Sequence, residues 1–132
     1  MVKISRVERL LESKHAERFL QKVLHPAELQ DCRDTSQKLI VEKVASRWAA
    51  KEATYKALRL VEFSPLFPEI RVCKRGAVPS LVLEGSTKEA ALKAKVGTLH
   101  LSLSHDKEAD TAIAMVVCEH LEPVWNNPTK DP

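Results

Sequence analysis

The stretch that most constrains this chain runs from Leu39 to Leu60, where no proline or glycine occurs and apolar residues return at helical spacing. Leu39, Ile40, Val44, Ala45, Trp48, Ala49, Ala53 and Ala57 keep one register. The run therefore predicts a long helix whose apolar side must be covered by the rest of the chain. Its middle, from Trp48 to Leu58, is built from strong helix formers, Ala49, Ala50, Ala53, Ala57 and Leu58 among them. Glu52 and Lys56 stand four residues apart in this alanine-rich segment, which puts a carboxylate and an ammonium on one face, one turn apart, with the acid nearer the N-terminus. One reading is a surface ion pair of little energetic weight. The other is a charged pair meant for a ligand, since small side chains around it let another group approach the helix closely.

On the N-terminal side, Ile4, Val7, Leu10, Leu11, Phe19, Leu20, Val23 and Leu24 recur at helical spacing and predict a helix, or two pieces of one, over 6–24. Lys14, Arg18 and Lys22 fall at four-residue steps and, with Arg6 and Arg9, form a basic stripe. Glu8, Glu12 and Glu17 are interspersed, so the stripe reads either as a solvated face or as a docking face for an acidic helix. His25-Pro26-Ala27-Glu28 marks a new helical start, with proline in the first turn and an acid near the positive end of the helix dipole. Asp34-Thr35-Ser36 is a polar break that reads as the N-cap of the long helix. Beyond Phe63-Ser64-Pro65-Leu66-Phe67-Pro68, a loop rich in proline and aromatics that cannot continue the long helix, the period changes to two. A hairpin is predicted over 70–84, turning at Lys74-Arg75-Gly76. Ser86-Thr87-Lys88-Glu89 has the form of a capping box opening a helix over 87–96, with Gly97 as its C-terminal cap. Strands follow over 98–104 and 111–118, joined by a charged loop over 105–110. Helices first, then strands with one helix inserted, define an α+β domain over residues 1–120, an antiparallel sheet with the long helix packed across it. Residues 121–132 read as a loosely held tail.

Composition narrows the function classes. A chain of 132 residues with 44% hydrophobic and 30% charged side chains is an ordinary globular domain with its own core. The net charge of +3 is compatible with an acidic protein partner, a phosphorylated ligand or nucleic acid, and charge alone does not choose among them. Three Phe, one Tyr and no dense basic run argue against a nucleic-acid-binding domain. Three cysteines without paired spacing disfavour a disulfide framework and favour a reducing compartment. No apolar run approaches a membrane span and the first residues do not resemble a secretory signal, so the reading is an intracellular protein, cytoplasmic or mitochondrial, with no membrane partner.

A second constellation lies in Leu99-His100-Leu101-Ser102-Leu103-Ser104-His105-Asp106, a strand alternating leucine with polar residues and ending on Ser104, His105 and Asp106. No glycine elbow surrounds either serine, which disfavours a hydrolase triad. Taken with Arg47-Trp48-Ala49-Ala50-Lys51-Glu52-Ala53 and Lys56-Ala57-Leu58 about fifty residues earlier, it closely resembles the holo-acyl-carrier-protein synthase type of 4′-phosphopantetheinyl transferase. That family's signatures have the forms F-A-x-K-E-A-x-x-K-A and S-x-S-H. The resemblance extends over about residues 2–118 and includes Ile4-Ser5-Arg6-Val7-Glu8 and His25-Pro26-Ala27-Glu28.

The resemblance implies transfer of the phosphopantetheine arm of coenzyme A to a serine of an apo acyl carrier protein, whether of a fatty-acid, polyketide or organellar pathway, releasing adenosine 3′,5′-bisphosphate. By residue matching, Glu52 is a Mg²⁺ ligand and Lys56 holds the diphosphate as a catalytic residue. Arg47, Ser104 and His105 face coenzyme A. His105 alternatively takes the serine proton, oriented by Asp106. Arg6 matches a carrier contact, with Arg18 and Lys22 beside it. A homotrimer with sites between subunits is implied as well. Two departures accompany the match. The family's second metal-ligating Asp, within G-x-D, stands six residues before the arginine that Arg6 matches, ahead of Met1, together with most of the first strand. The turn Gly76-Ala77-Val78-Pro79 is one residue longer than the family's G-x-P. A relative that binds carrier or coenzyme A without the chemistry is the alternative reading.

Overall fold

The long run folds as one helix, but over Val41–Leu58 rather than the full stretch. The computed structural model describes residues 1–121, so the tail expected beyond 120 lies, apart from Leu121, outside the described residues. In chain order the elements are β1 (Val2–Lys3), α1 (Ile4–Glu12), α2 (Ala16–Val23), α3 (Pro26–Asp31), α4 (Val41–Leu58), β2 (Ile70–Arg75), β3 (Val78–Leu83), α5 (Gly85–Lys93), β4 (Val96–Asp106) and β5 (Thr111–His120). The predicted α+β architecture holds. The strands, however, divide into a three-stranded antiparallel sheet of order β1-β5-β4 and a separate β2-β3 hairpin. Of the first strand, Val2 and Lys3 are present and pair with Ala112 and Thr111.

Helix α4 crosses the three-stranded sheet, and the core forms between them. Val2, Val7, Val44, Ala45, Ala49 and Ala112 make up its main cluster. Ala45 and Ala49 are fully buried, and their short side chains let the helix backbone lie close to the strands. A second cluster of Leu58, Ala91 and Val96, with Leu99 and Cys118 packed on it, fixes the C-terminal end of α4 against the start of β4. Fully buried aliphatics such as Val44, Leu58 and Ile70 each contribute about 1.5–3 kcal/mol of hydrophobic stabilisation. Among the described residues no helix is long and apolar enough to cross a membrane.

Three helix ends differ from expectation, each for a local physical reason. Asp34 does not cap α4, whose N-cap is Ile40. Its carboxylate instead accepts from Ser36 N at 2.8 Å and Lys38 N at 3.0 Å, closing its own loop, a competing use to which Asp side chains are prone. The expected capping box at Ser86 is likewise absent. Helix α5 opens after Glu84, and its first amides are satisfied by Glu69, which accepts from Ser86 N at 2.9 Å, Thr87 N at 3.2 Å and both hydroxyls. Gly85 permits this. Its φ is +57°, and a Cβ there would lie 1.9 Å from Glu69 Oε2. At the other end the left-handed residue is Lys95, φ 63°, while Gly97 belongs to β4.

Strand β4 runs past Ser104 through Asp106, which decides where the second motif points. Antiparallel partners share a face of the sheet. His105 pairs with the buried Ala112 and so lies on the side of α4; Ser104 pairs with Ile113 and Ser102 with Met115, on the outer side. The outer face presents Ile113, Met115 and Val117 at 48%, 66% and 52% exposure.

Candidate active site on the exposed face of α4

Glu52 is half-buried and Lys56 exposed on α4. Neither makes a hydrogen bond or ion pair among the described residues, so the surface ion pair read from their spacing is not formed. Trp48, Glu52, Lys56 and Arg59 follow one another at four-, four- and three-residue steps and form one ridge of side chains, with Tyr55 beside it.

The basic stripe converges on the start of this ridge. The Arg6 guanidinium sits 5.1 Å from the Trp48 ring centroid, a cation–π contact, and Phe19 meets the same indole edge-on at 5.0 Å. Lys22 lines a cavity of about 700 Å³ together with Phe19, Trp48, Tyr55, Leu66 and Phe67. Arg18 is exposed on α2. Arg6 and Lys22, two of the residues expected to contact a carrier, therefore gather around Trp48, one turn before Glu52.

Beneath the ridge lies a network that sequence reasoning missed. Glu28, whose position at the start of α3 suits the helix dipole, is fully buried. Its Oε1 accepts from Lys51 Nζ at 2.5 Å and His25 N at 2.9 Å, and its Oε2 from Val72 N at 3.0 Å. Lys51, also fully buried, donates further to Phe67 O at 2.9 Å. Burial pushes the Lys51 ammonium pKa down, and the Glu28 carboxylate opposes that shift. Arg47, expected at the coenzyme A phosphates, is 4% exposed; its Nε lies 3.9 Å from Glu28 with no hydrogen bond of its own. Within one chain Arg47 faces the interior.

The second motif sits elsewhere. Lys107 pairs with Glu42 in the first turn of α4 at 2.9 Å, and this hydrogen bond holds the Glu42 carboxyl below its usual range, with a smaller pull from His105. His105 is thus at the N-terminal end of α4. Ten helical residues separate Glu42 from Glu52, about 15 Å of rise, and Lys56 lies a turn further. One chain does not bring His105 to Glu52 and Lys56. Nor do Ser104 and His105 share a face of the sheet. Asp106 is hydrogen-bonded to Glu108 N at 2.9 Å, closing the β4–β5 turn, and makes no hydrogen bond to the imidazole among the described residues.

Among the described residues no three His, Cys, Asp or Glu side chains cluster to cage a metal. A lone half-buried carboxylate beside an unpaired ammonium does fit Mg²⁺, which is commonly held by one or two carboxylates plus substrate phosphates and water. A carboxylate and an ammonium are residue types suited to displacement at phosphorus, where positioning and cationic charge dominate. The chain belongs to the 4′-phosphopantetheinyl transferase superfamily, whose sequence pattern matches residues 1–117. It is 38% identical over 125 residues to a holo-[acyl-carrier-protein] synthase of Anaeromyxobacter dehalogenans, covering 93% of this chain and 94% of that one. Its fold resembles the holo-[acyl-carrier-protein] synthase of Helicobacter pylori in complex with coenzyme A, with TM-score 0.73, 31% identity and coverage of 89% and 95%. The Chronobacterium ammoniagenes enzyme, also solved with coenzyme A, superposes with TM-score 0.75, 27% identity and coverage of 92% and 93%.

Proposed function

We propose that this chain is a holo-[acyl-carrier-protein] synthase that transfers 4′-phosphopantetheine from coenzyme A to a serine of an apo acyl carrier protein. The serine oxygen bonds to the phosphorus that bears pantetheine, the bond from that phosphorus to the bridging oxygen breaks, and adenosine 3′,5′-bisphosphate leaves. The observation that carries this reading is the unpaired Glu52–Lys56 ridge beside a basic and aromatic docking surface. Lys56 holds the diphosphate and stabilises charge on the transferring and leaving oxygens. Glu52 holds Mg²⁺, which when bound neutralises diphosphate charge. Arg6, Arg18 and Lys22 attract the acidic carrier, with Trp48 and Phe19 supplying apolar contact between them. Arg47 supports Glu28 from the interior instead of contacting coenzyme A. Three free thiols suit a reducing, intracellular setting.

The assembly we propose is a homotrimer with composite sites. Two observations support it: the motifs lie at opposite ends of α4, and the outer sheet face exposes Ile113, Met115 and Val117 in a row. In the assembly we propose, one chain's His105 completes the site that the neighbour's Glu52 and Lys56 begin. There His105 either contacts coenzyme A phosphates or accepts the serine proton, while Ser104, facing outward, lies at the subunit contact.

The test is mass spectrometry of an apo acyl carrier protein incubated with the chain, coenzyme A and Mg²⁺. Addition of the phosphopantetheine mass is expected, lost in Glu52→Ala and in Lys56→Ala. Full activity in both variants would overturn the site assignment, and carrier binding without transfer would make the chain a non-catalytic binder.

A further inference from the structure

The turn that follows His105 is tied to two helices. It joins β4 to β5 over 107–110. At one end Asp110 accepts from the Ser5 amide and hydroxyl at the start of α1, and its carbonyl accepts from Ile4 N at 3.2 Å. At the other end Lys107 reaches Glu42 Oε1 at 2.9 Å in the first turn of α4. Asp110 N donates to Lys107 O at 3.0 Å and Glu108 N to Asp106 at 2.9 Å, so the turn holds together with the end of β4. The Lys107 side chain is 75% exposed and that of Glu42 15%. An ion pair with one end in water adds little to stability, and what this one supplies is a fixed position for the turn.

Glu42 also faces His105. Its carboxyl is held below the usual range chiefly by the Lys107 hydrogen bond, and the His105 imidazole adds to that pull. His105 pairs with Ala112 across the sheet and so lies on the side of α4. Asp106, its neighbour in sequence, is occupied by the Glu108 amide. The carboxylate that α4 sets near His105 is therefore Glu42.

We propose that Glu42 is a positioning residue for the transfer: through Lys107 it holds the turn behind His105 and so fixes the imidazole that the neighbouring subunit's site uses. The proposal rests on the transferase reading and on a site shared between subunits. A carboxylate beside the imidazole serves either role of His105, since a phosphate contact and a proton acceptor both carry positive charge while they act. Glu42 takes the orienting task that the sequence assigns to Asp106, from a different element and 63 positions away from His105.

The experiment measures kcat and KM for coenzyme A and for apo carrier in the full chain and in Glu42→Gln, Lys107→Met and Glu108→Gln, with the urea midpoint of each. Glu108 is exposed on the same turn, and its side chain makes no hydrogen bond or ion pair among the described residues, so Glu108→Gln controls for a charge lost from the turn. In Glu42→Gln and Lys107→Met kcat/KM for coenzyme A is expected to fall about tenfold, the scale of a small misplacement of a reacting group. The carrier KM and the urea midpoints should stay unchanged, and Glu108→Gln should match the wild type. In a His105→Ala background Glu42→Gln should cause no further loss, because it acts through the imidazole. Wild-type kcat/KM in Glu42→Gln, or a full tenfold loss added to that of His105→Ala, would overturn this inference and leave the transferase reading intact. Absence of transfer by the wild type would overturn the transferase reading. Amide exchange at Asp110, whose N–H closes the turn, then decides whether Glu42 holds it: faster exchange in Glu42→Gln upholds the tie, and equal exchange overturns it.

Discussion

Replacing Glu28 by alanine should be the most damaging single change in the fold. The carboxylate is fully buried and joins three elements: Lys51 of α4, the start of α3 through His25 N, and β2 through Val72 N. Its removal strands the Lys51 ammonium, 0% exposed, with Phe67 O at 2.9 Å as its remaining acceptor among the described residues. It also leaves Arg47 Nε without the charge 3.9 Å away. An uncompensated buried charge costs about 3–5 kcal/mol, which for a domain of this size lowers the melting temperature by roughly 10–20 °C. Lys51→Met should cost less, because Arg47 still faces the carboxylate and methionine fills the volume of the lysine stem. In Glu28→Gln combined with Lys51→Met the lysine charge is gone and only Arg47 is left without its partner, so the loss should fall short of the sum of the Glu28→Gln and Lys51→Met losses by about 2 kcal/mol. Urea denaturation of the wild type, the singles and the double at one protein concentration measures each of these. A loss under about 1 kcal/mol in Glu28→Ala, or strict additivity in the double, would refute the view that the network is one connected unit.

Other perturbations follow from the same contacts. Glu69→Ala removes the cap of α5 and should cost about 1–2 kcal/mol, read as faster amide exchange at Ser86 and Thr87; unchanged exchange would count against the cap. Gly85→Ala should destabilise as well, since its Cβ would meet Glu69 Oε2 at 1.9 Å. Asp110 accepts from the Ser5 hydroxyl and amide across the start of α1, and those bonds hold its pKa below the ordinary value of 3.8. Its contribution is therefore present above that value and lost as pH falls through the lower folded value. Asp110→Asn should flatten the acid limb of stability, visible as a smaller drop in urea midpoint between about pH 5 and about pH 2.5. Met115→Asp places a charge in the outward apolar row and should shift sedimentation toward the monomer while reducing transfer; an unaltered assembly would show that this face is not the contact.

What the sequence determined by itself was local. Helical periodicity from Leu39 to Leu60 located α4, and alternation located β2 to β5, because both depend on residues a few positions apart. The Glu52–Lys56 pair and the strand ending in Ser104 and His105 were visible for the same reason. Only the tertiary structure decided which groups meet. Glu69 caps a helix 17 residues away, and Asp110 reaches Ser5 across 105 positions, so no window of sequence contains both partners. Glu28 was legible only as an acid at a helix start and Arg47 only through the family resemblance; that both are buried was decided by packing. The division of Ser104 from His105 was in principle legible, since successive strand residues point to opposite faces, but it required knowing that β4 continues to Asp106. The distance between His105 and Glu52 was not legible at all. It arises from the direction in which α4 crosses the sheet, which is set by the two apolar clusters at its ends and leaves the two halves of the motif about 15 Å or more apart along α4.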